Sequence, residues 1–332
     1  MTHSMPPSHR TSQLPLNEPG APLFRDHLET KVAGWVQAWD GTAAAGVVLV
    51  GAPLSKTSIS HSGASSTPQA IREMFGAVST YNFDHDLDLA TALTIRDAGD
   101  ARVHVTDLAR SRAGIHDAVW AVLERSPDSM LVVMGGDHSI TAPSVEAFRA
   151  SQSGAVGLVQ LDAHMDLRNL DDGGPSNGTP IRQLLESRTL DGRHVAQVGL
   201  QSFANSREYR DVARNAGITQ IGAREVAASP MHEIASRALE VASSGTDAIY
   251  VTLDMDVLDQ AFAPGVPALV PGGMTSRQLF DIMFVLGSHP KVRALDIVEV
   301  DPTQDLRRST VRVAVYAMLT FLTGVALRGT SA

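Results

Sequence analysis

Asp162, His164 and Asp166 alternate along Leu161–Arg168, directly after the apolar run Ala155–Gln160. Residues two apart in an extended chain face the same way. If that geometry persists past the strand end, two carboxylates and an imidazole converge on one point, a donor set suited to a divalent transition metal. For an isolated Asp a helix cap or an Asx turn explains as much, and for an isolated His so does a structural role. Two further clusters shift the balance. Gly135-Gly136-Asp137-His138-Ser139 follows the apolar run Met130–Met134, and Asp254-Met255-Asp256-Val257-Leu258-Asp259 follows Asp247–Leu253. Asp254 and Asp256 repeat the same-face spacing. Like charges this close repel, and each desolvated carboxylate is costly unless a cation or a donor compensates it. His138, Asp162, His164, Asp166, Asp254 and Asp256 exceed what one tetrahedral metal needs, but suit two metals that share bridging carboxylates. The chain has no Cys, so the ligands are oxygen and nitrogen only, a set that points to Mn²⁺ ahead of Fe, Co, Ni or Zn.

The elements that must position these residues are strands alternating with helices. Strand-like runs begin near Gly46, Leu93, Met130, Ala155, His194, Gly217, Asp247 and Val292, and helical spacing falls between most of them. That alternation predicts an α/β fold, a mostly parallel sheet of about eight strands covered on both faces. Ligands of such sheets bind at the carboxyl ends of strands, where each acidic or imidazole cluster falls. The loop Gly51–Ala64, long and rich in small residues, leaves the first strand at that same end. Residues 1–20, with Pro6, Pro7, Pro15 and Pro19, read as a flexible N-terminal arm, and residues 21–332 as one catalytic domain.

Composition excludes several classes. The 332 residues carry 27 basic and 36 acidic side chains, a formal charge of −9, and no basic run, which argues against nucleic acid or an anionic membrane as partner. No uninterrupted apolar run approaches the roughly 18 residues of a membrane span, and the first residues are not signal-like. Together with the absence of Cys, this makes a cytoplasmic protein the expectation.

The three motifs, in this order and with Ala263-Pro264-Gly265 after the third, resemble the ureohydrolase family of arginases, agmatinases and formimidoylglutamases. The likeness runs from about Gly51 to the C-terminus. It implies a three-layer α/β/α arginase-like fold with two Mn²⁺ ions per subunit, and a trimer or hexamer. Carried over by position, it implies that His138, Asp162, Asp166 and Asp254 bind one ion. His164, Asp162, Asp254 and Asp256 would bind the other, with Asp162 and Asp254 bridging. Asp166 would also move a proton to the departing amine, and Glu299 would pair with the cationic nitrogens of the substrate.

Within the family, arginases and agmatinases usually carry His where this chain reads Asn177, in Ser176-Asn177-Gly178-Thr179-Pro180. The Pro53–Ala64 loop, Asp166-Leu167-Arg168 and the run Gln197–Ser206 look most like formimidoylglutamases. That likeness implies cleavage of the amidine C–N bond of N-formimidoyl-L-glutamate, giving L-glutamate and formamide. A small amidine that carries carboxylates calls for a cation in the pocket. Arg168 is the first candidate, Arg182 a second, and Asn177 lines the same region. The alternative within the class is a guanidine-cleaving ureohydrolase that releases urea. The alternative outside it is a non-catalytic metal-binding protein on the same fold.

Overall fold

Apolar runs without polar alternation make strands that are buried on both faces. Val47–Gly51 and Met130–Met134 are buried at every position. The computed structural model describes residues 26–328 and sets such strands in one parallel sheet between two helical layers. The expected N-terminal arm, residues 1–20, lies outside the described residues.

The sheet strands are β1 (Gln37–Ala38), β2 (Val47–Gly51), β3 (Ile95–Asp100), β4 (Met130–Met134), β5 (Val156–Leu161), β6 (Val195–Leu200), β7 (Thr219–Gly222), β8 (Ala248–Asp254) and β9 (Val292–Val298). They lie side by side in the order β1-β3-β2-β4-β9-β8-β5-β6-β7, and every pairing among them is parallel. The longer helices are α1 (Thr67–Met74), α2 (Leu108–Arg125), α3 (Thr141–Ser151), α4 (Pro180–Glu186), α5 (Arg207–Ala216), α6 (Met231–Ser243), α7 (Ser276–Ser288) and α8 (Ser309–Ala326). Alternate strand residues feed separate cores. Val47 and Leu49 pack with α1, α6, α7 and α8, whereas Val48 and Val50 face α2, α3, α4 and α5. The α/β class and the parallel sheet expected from the sequence are therefore present.

Two differences are local. The sheet has nine strands rather than about eight because β1 is a two-residue edge strand, too short for any periodic signal. Helix α7 was not among the expected elements, although Leu279, Ile282, Met283 and Leu286 have helical spacing. Its start is also written in Thr275 and Gln278. The Thr275 hydroxyl accepts the Gln278 N–H at 3.2 Å, and Gln278 Oε1 accepts the Thr275 N–H at 3.0 Å, a reciprocal capping box. Among the described residues one helix, Leu306–Ala326, is long and apolar enough to cross a membrane by length and composition. Its most apolar window is 61% buried, largely against α7 and α1, so core packing accounts for its composition.

Removing the Thr275 cap tests the α7 boundary. Thr275→Ala should cost about 1 kcal/mol and lower the melting temperature by roughly 2 °C, read by calorimetry. An unchanged transition would show that the box does not hold the helix start.

Candidate metal and active site

Strands β4, β9, β8 and β5 are consecutive neighbours in the sheet, so their carboxyl ends open onto one place. From those ends the chain delivers His138, Glu299, the pair Asp254 and Asp256, and the trio Asp162, His164 and Asp166. Close approach is built into the first turn: a Cβ on Gly136 would lie 1.8 Å from the Leu54 carbonyl oxygen, so only glycine lets the β2 loop pass there.

Two imidazoles organise the carboxylates. His138 Nδ1 lies 2.7 Å from Asp166 Oδ2, 3.1 Å from Asp254 Oδ2 and 3.2 Å from Asp162 Oδ2. His164 Nδ1 lies 2.9 Å from Asp256 Oδ2 and 3.5 Å from Asp162 Oδ1. Asp162 thus stands between them with one oxygen turned to each. The candidate ligand atoms of His138, Asp162 and Asp166 fall within 4.8 Å of one another, as do those of Asp162, His164 and Asp256. Asp254 joins the His138 side through Oδ2, while its Oδ1 accepts the Asp256 N–H at 2.8 Å.

Burial makes this arrangement costly. It pushes the Asp166 carboxyl up to about 7, reinforced by the charge of Asp162. Asp254 and Asp256 are also raised, by burial first and by neighbouring aspartates second. The donors fit a divalent cation. His138 Nε2 sits 2.8 Å from the Thr252 hydroxyl, which leaves Nδ1 as the ring nitrogen free to donate a lone pair. That Nδ1 is buried, lacks a hydrogen-bond partner and faces carboxylate oxygens on three residues. A cation among them would satisfy the nitrogen and offset the repulsion at once.

Glu299 closes another side of the site. Its Oε1 accepts the His138 N–H at 2.8 Å and the Asn177 Nδ2–H at 3.0 Å, whereas the buried Oε2 has no partner. Burial, aided by the Asp137 charge, raises this carboxyl to about 8. Asn177 is fixed in turn by the β2 loop, since its Oδ1 accepts the Ile59 N–H at 3.0 Å.

Both Asp166 (φ 55°) and Glu299 (φ 61°) have left-handed backbones, which cost non-glycine residues about 1–3 kcal/mol each. Hydrogen bonds on either side hold Asp166 there. Asn205 Oδ1 accepts the Met165 N–H at 2.8 Å, Gln197 Nε2 donates to the Met165 carbonyl at 2.7 Å, and the Arg182 N–H donates to the Asp166 carbonyl at 3.1 Å.

A cavity of about 250 Å³ reaches the cluster, lined among others by His164, Asp166, Arg168, Asn177 and Glu299. A larger cavity of about 880 Å³ lies beside α7 and α8 but contains neither metal-ligand grouping, so chemistry and not size selects the smaller one. Arg168 is exposed at the rim, its stem crossing Gly178, where a Cβ would lie 2.7 Å from the arginine Cδ. Among the described residues Arg168 makes no ion pair. Arg182, the second cation singled out from the sequence, does not line the cavity. Its guanidinium pairs with Glu186 one turn along α4, the usual partner of a helical arginine, and only its backbone reaches the site.

Sequence reasoning missed the residues that hold the cluster, chiefly Gln160, Thr252 and Asn205. A signal was available for the first two. Gln160 and Thr252 are polar positions in otherwise apolar strands, each two residues before an aspartate and hence on its face of the sheet.

A three-layer sheet with acidic and imidazole side chains gathered at its central strand ends defines a class, and residues 45–324 match the Arginase family. The chain belongs to that family. Formimidoylglutamase of Halalkalibacterium halodurans is 46% identical over 313 residues, covering 94% of this chain and 97% of that protein. The crystal structure of formimidoylglutamase from Bacillus subtilis subsp. subtilis str. 168 superposes with a TM-score of 0.91 at 37% identity, covering 95% of this chain and 97% of that one. The structure of Trypanosoma cruzi formiminoglutamase with Mn²⁺ gives a TM-score of 0.83 at 26% identity, covering 90% and 99%. The family resemblance expected from the three motifs is borne out.

Asn177→Ala removes one of two donors to Glu299 Oε1. A cationic substrate favours the ionised form of Glu299, and a hydrogen bond to a charged group is worth about 1.5–3 kcal/mol, so KM should rise roughly 10- to 100-fold with bound metal unchanged. An unaltered KM would show that Glu299 is oriented without Asn177.

Proposed function

We propose that this chain is a formimidoylglutamase, a hydrolase that cleaves the amidine C–N bond of N-formimidoyl-L-glutamate to L-glutamate and formamide. Residues 21–332 serve as its catalytic domain. The substrate class follows from the high identity to proteins of that name over nearly the whole chain. The observation that carries the residue-level assignment is one cavity combining a buried carboxyl oxygen, Glu299 Oε2, with a rim guanidinium, Arg168, both unpaired among the described residues.

Two Mn²⁺ ions per subunit are the proposed cofactor, held by His138, Asp162, Asp166 and Asp254 on one side and by His164, Asp162, Asp254 and Asp256 on the other. When bound, such a pair makes water acidic enough to attack an amidine carbon near neutral pH. The chain's own groups do the rest. Glu299 Oε2 accepts an N–H of the amidinium and so fixes its carbon against the aspartates. Arg168 forks onto a glutamate carboxylate at the rim, which sets the distance between that anion and the reacting carbon. Asp166 takes a proton from the attacking water and passes it to the glutamate nitrogen, a role open to a carboxylate that faces both His138 and the cavity. The water oxygen is then bonded to the amidine carbon, the bond from that carbon to the glutamate nitrogen breaks, and formamide leaves.

Assayed with Mn²⁺ against formimidoylglutamate, arginine, agmatine and guanidinobutyrate, the protein should release formamide from the first and little urea from the others. Dominant urea release would establish guanidine cleavage instead. Arg168→Ala should raise KM for formimidoylglutamate about 10- to 100-fold, the value of a charge-assisted hydrogen bond, while hydrolysis of an amidine without carboxylates changes little. Equal effects on both substrates would remove Arg168 from the carboxylate role.

A further inference from the structure

Three glutamines stand opposite one another on neighbouring strands, Gln160 against Gln197 and Gln197 against Gln220. Gln220 Nε2 donates to Gln197 Oε1 at 2.9 Å. Gln197 Nε2 donates to Gln160 Oε1 and to the Met165 carbonyl, both at 2.7 Å. Gln160 Nε2 then donates to Asp162 Oδ2 at 2.6 Å and to Asp166 Oδ2 at 3.2 Å. Gln160 and Gln197 are fully buried, where an amide is costly unless both of its ends are satisfied.

The direction of this row is chemically forced. Ionised carboxylates and backbone carbonyls only accept hydrogen bonds. Gln160 must therefore turn its NH₂ to the aspartates, which leaves its Oε1 in need of a donor. Gln197 must turn its NH₂ to that oxygen and to Met165, and its own Oε1 then needs Gln220. No amide in the row can flip alone without setting oxygen against oxygen.

We infer that this glutamine row is a positioning device for the metal centre, fixing the rotation of Asp162 and Asp166 through Gln160. It rests on the metal-centre function proposed above. The oxygens that Gln160 holds, Asp162 Oδ2 and Asp166 Oδ2, are the same ones that face His138 Nδ1 at 3.2 and 2.7 Å. Without a donor between them, mutual repulsion swings the two carboxylates apart. A lysine or arginine in that place would compete with the cation for their charge. A neutral amide holds them together and leaves the full negative charge for the ion.

The test compares wild type, Gln160→Leu, Gln197→Met and Gln197→Glu by Mn²⁺ titration calorimetry and by melting of the metal-free proteins. Gln160→Leu should weaken Mn²⁺ binding about 10- to 100-fold, as loss of an outer partner of a metal ligand does. Gln197→Met should weaken it less, and adding it to Gln160→Leu should cost only what the lost Met165 contact contributes, less than the two single losses combined. Gln197→Glu gives the sharpest outcome. Its added negative charge alone would tighten cation binding, whereas a row forced to reverse at Gln160 binds Mn²⁺ more weakly than Gln197→Met does. Wild-type affinity in a folded Gln160→Leu, or tighter binding in Gln197→Glu, overturns the inference. Should Gln160→Leu fail to fold, the two Gln197 variants decide it. Wild type that binds no Mn²⁺ overturns the metal-centre function itself.

Discussion

Everything in this protein depends on holding buried like charges together. Asp162, Asp166, Asp254 and Asp256 are all nearly inaccessible to solvent. Within ion-pair distance of them the described residues offer two imidazoles and no lysine or arginine. Two unit charges ~4 Å apart repel by ~4 kcal/mol at an effective dielectric of ~20, so several such pairs rival the net stability of a domain. The cluster persists only on a frame that cannot yield. Strands β4, β9, β8 and β5 supply it, because each is flanked by strands on both sides and packed by helices on both faces.

The same constraint explains the irregular backbone at the strand ends. A carboxylate continuing straight from an apolar strand points along the sheet, whereas the site needs several of them turned toward one spot. Asp166 and Glu299 turn through left-handed conformations, and each is held by hydrogen bonds from elements distant in sequence. Met165 is held by Asn205 and Gln197 on the next strand's loop and face, and the Asp166 carbonyl by the first turn of α4. Strain is thus placed at the groups assigned to chemistry and offset by contacts that do none.

What could be read from the sequence divides along physical lines. The acidic clusters were legible because a two-residue spacing after an apolar run fixes direction without any knowledge of tertiary structure. The strand order that brings Glu299 and Asn177 within 3.0 Å across 122 residues of sequence was not, since it follows from packing and not from local pattern. Helix α7 was legible and passed over: Leu279, Ile282, Met283 and Leu286 repeat at helical spacing behind the Thr275 and Gln278 cap. Arg182 was weighed as a second cation, after Arg168, for the substrate carboxylates. Its contribution to the site is instead an N–H, which every residue but proline carries and no sequence reading can single out. Gln160 and Thr252 were overlooked because a strand read as continuously apolar conceals the one position that is not.

The loop from Asp162 to Gly178 keeps the groups proposed for catalysis and for specificity apart within one segment. Its first part, Asp162–Asp166, is fastened to β6, β8 and α4 and has no freedom to vary. At Arg168 the chain meets its own far end, the N–H donating to the Gly178 carbonyl at 3.0 Å, and Asn177 beside it is tied to Ile59 and Glu299. Residues 169–176 therefore bulge outward from a closed neck. Insertions or substitutions within that bulge leave both ends of the neck in place, and with them the orientation of Asp166 and Glu299. A change to the Arg168 side chain leaves its backbone bond to the Gly178 carbonyl, and with it the neck, in place. The proposed rim cation and the aspartates of the floor thus share a loop but not a set of anchors, Arg168 being tied to Gly178 and Asp166 to α4.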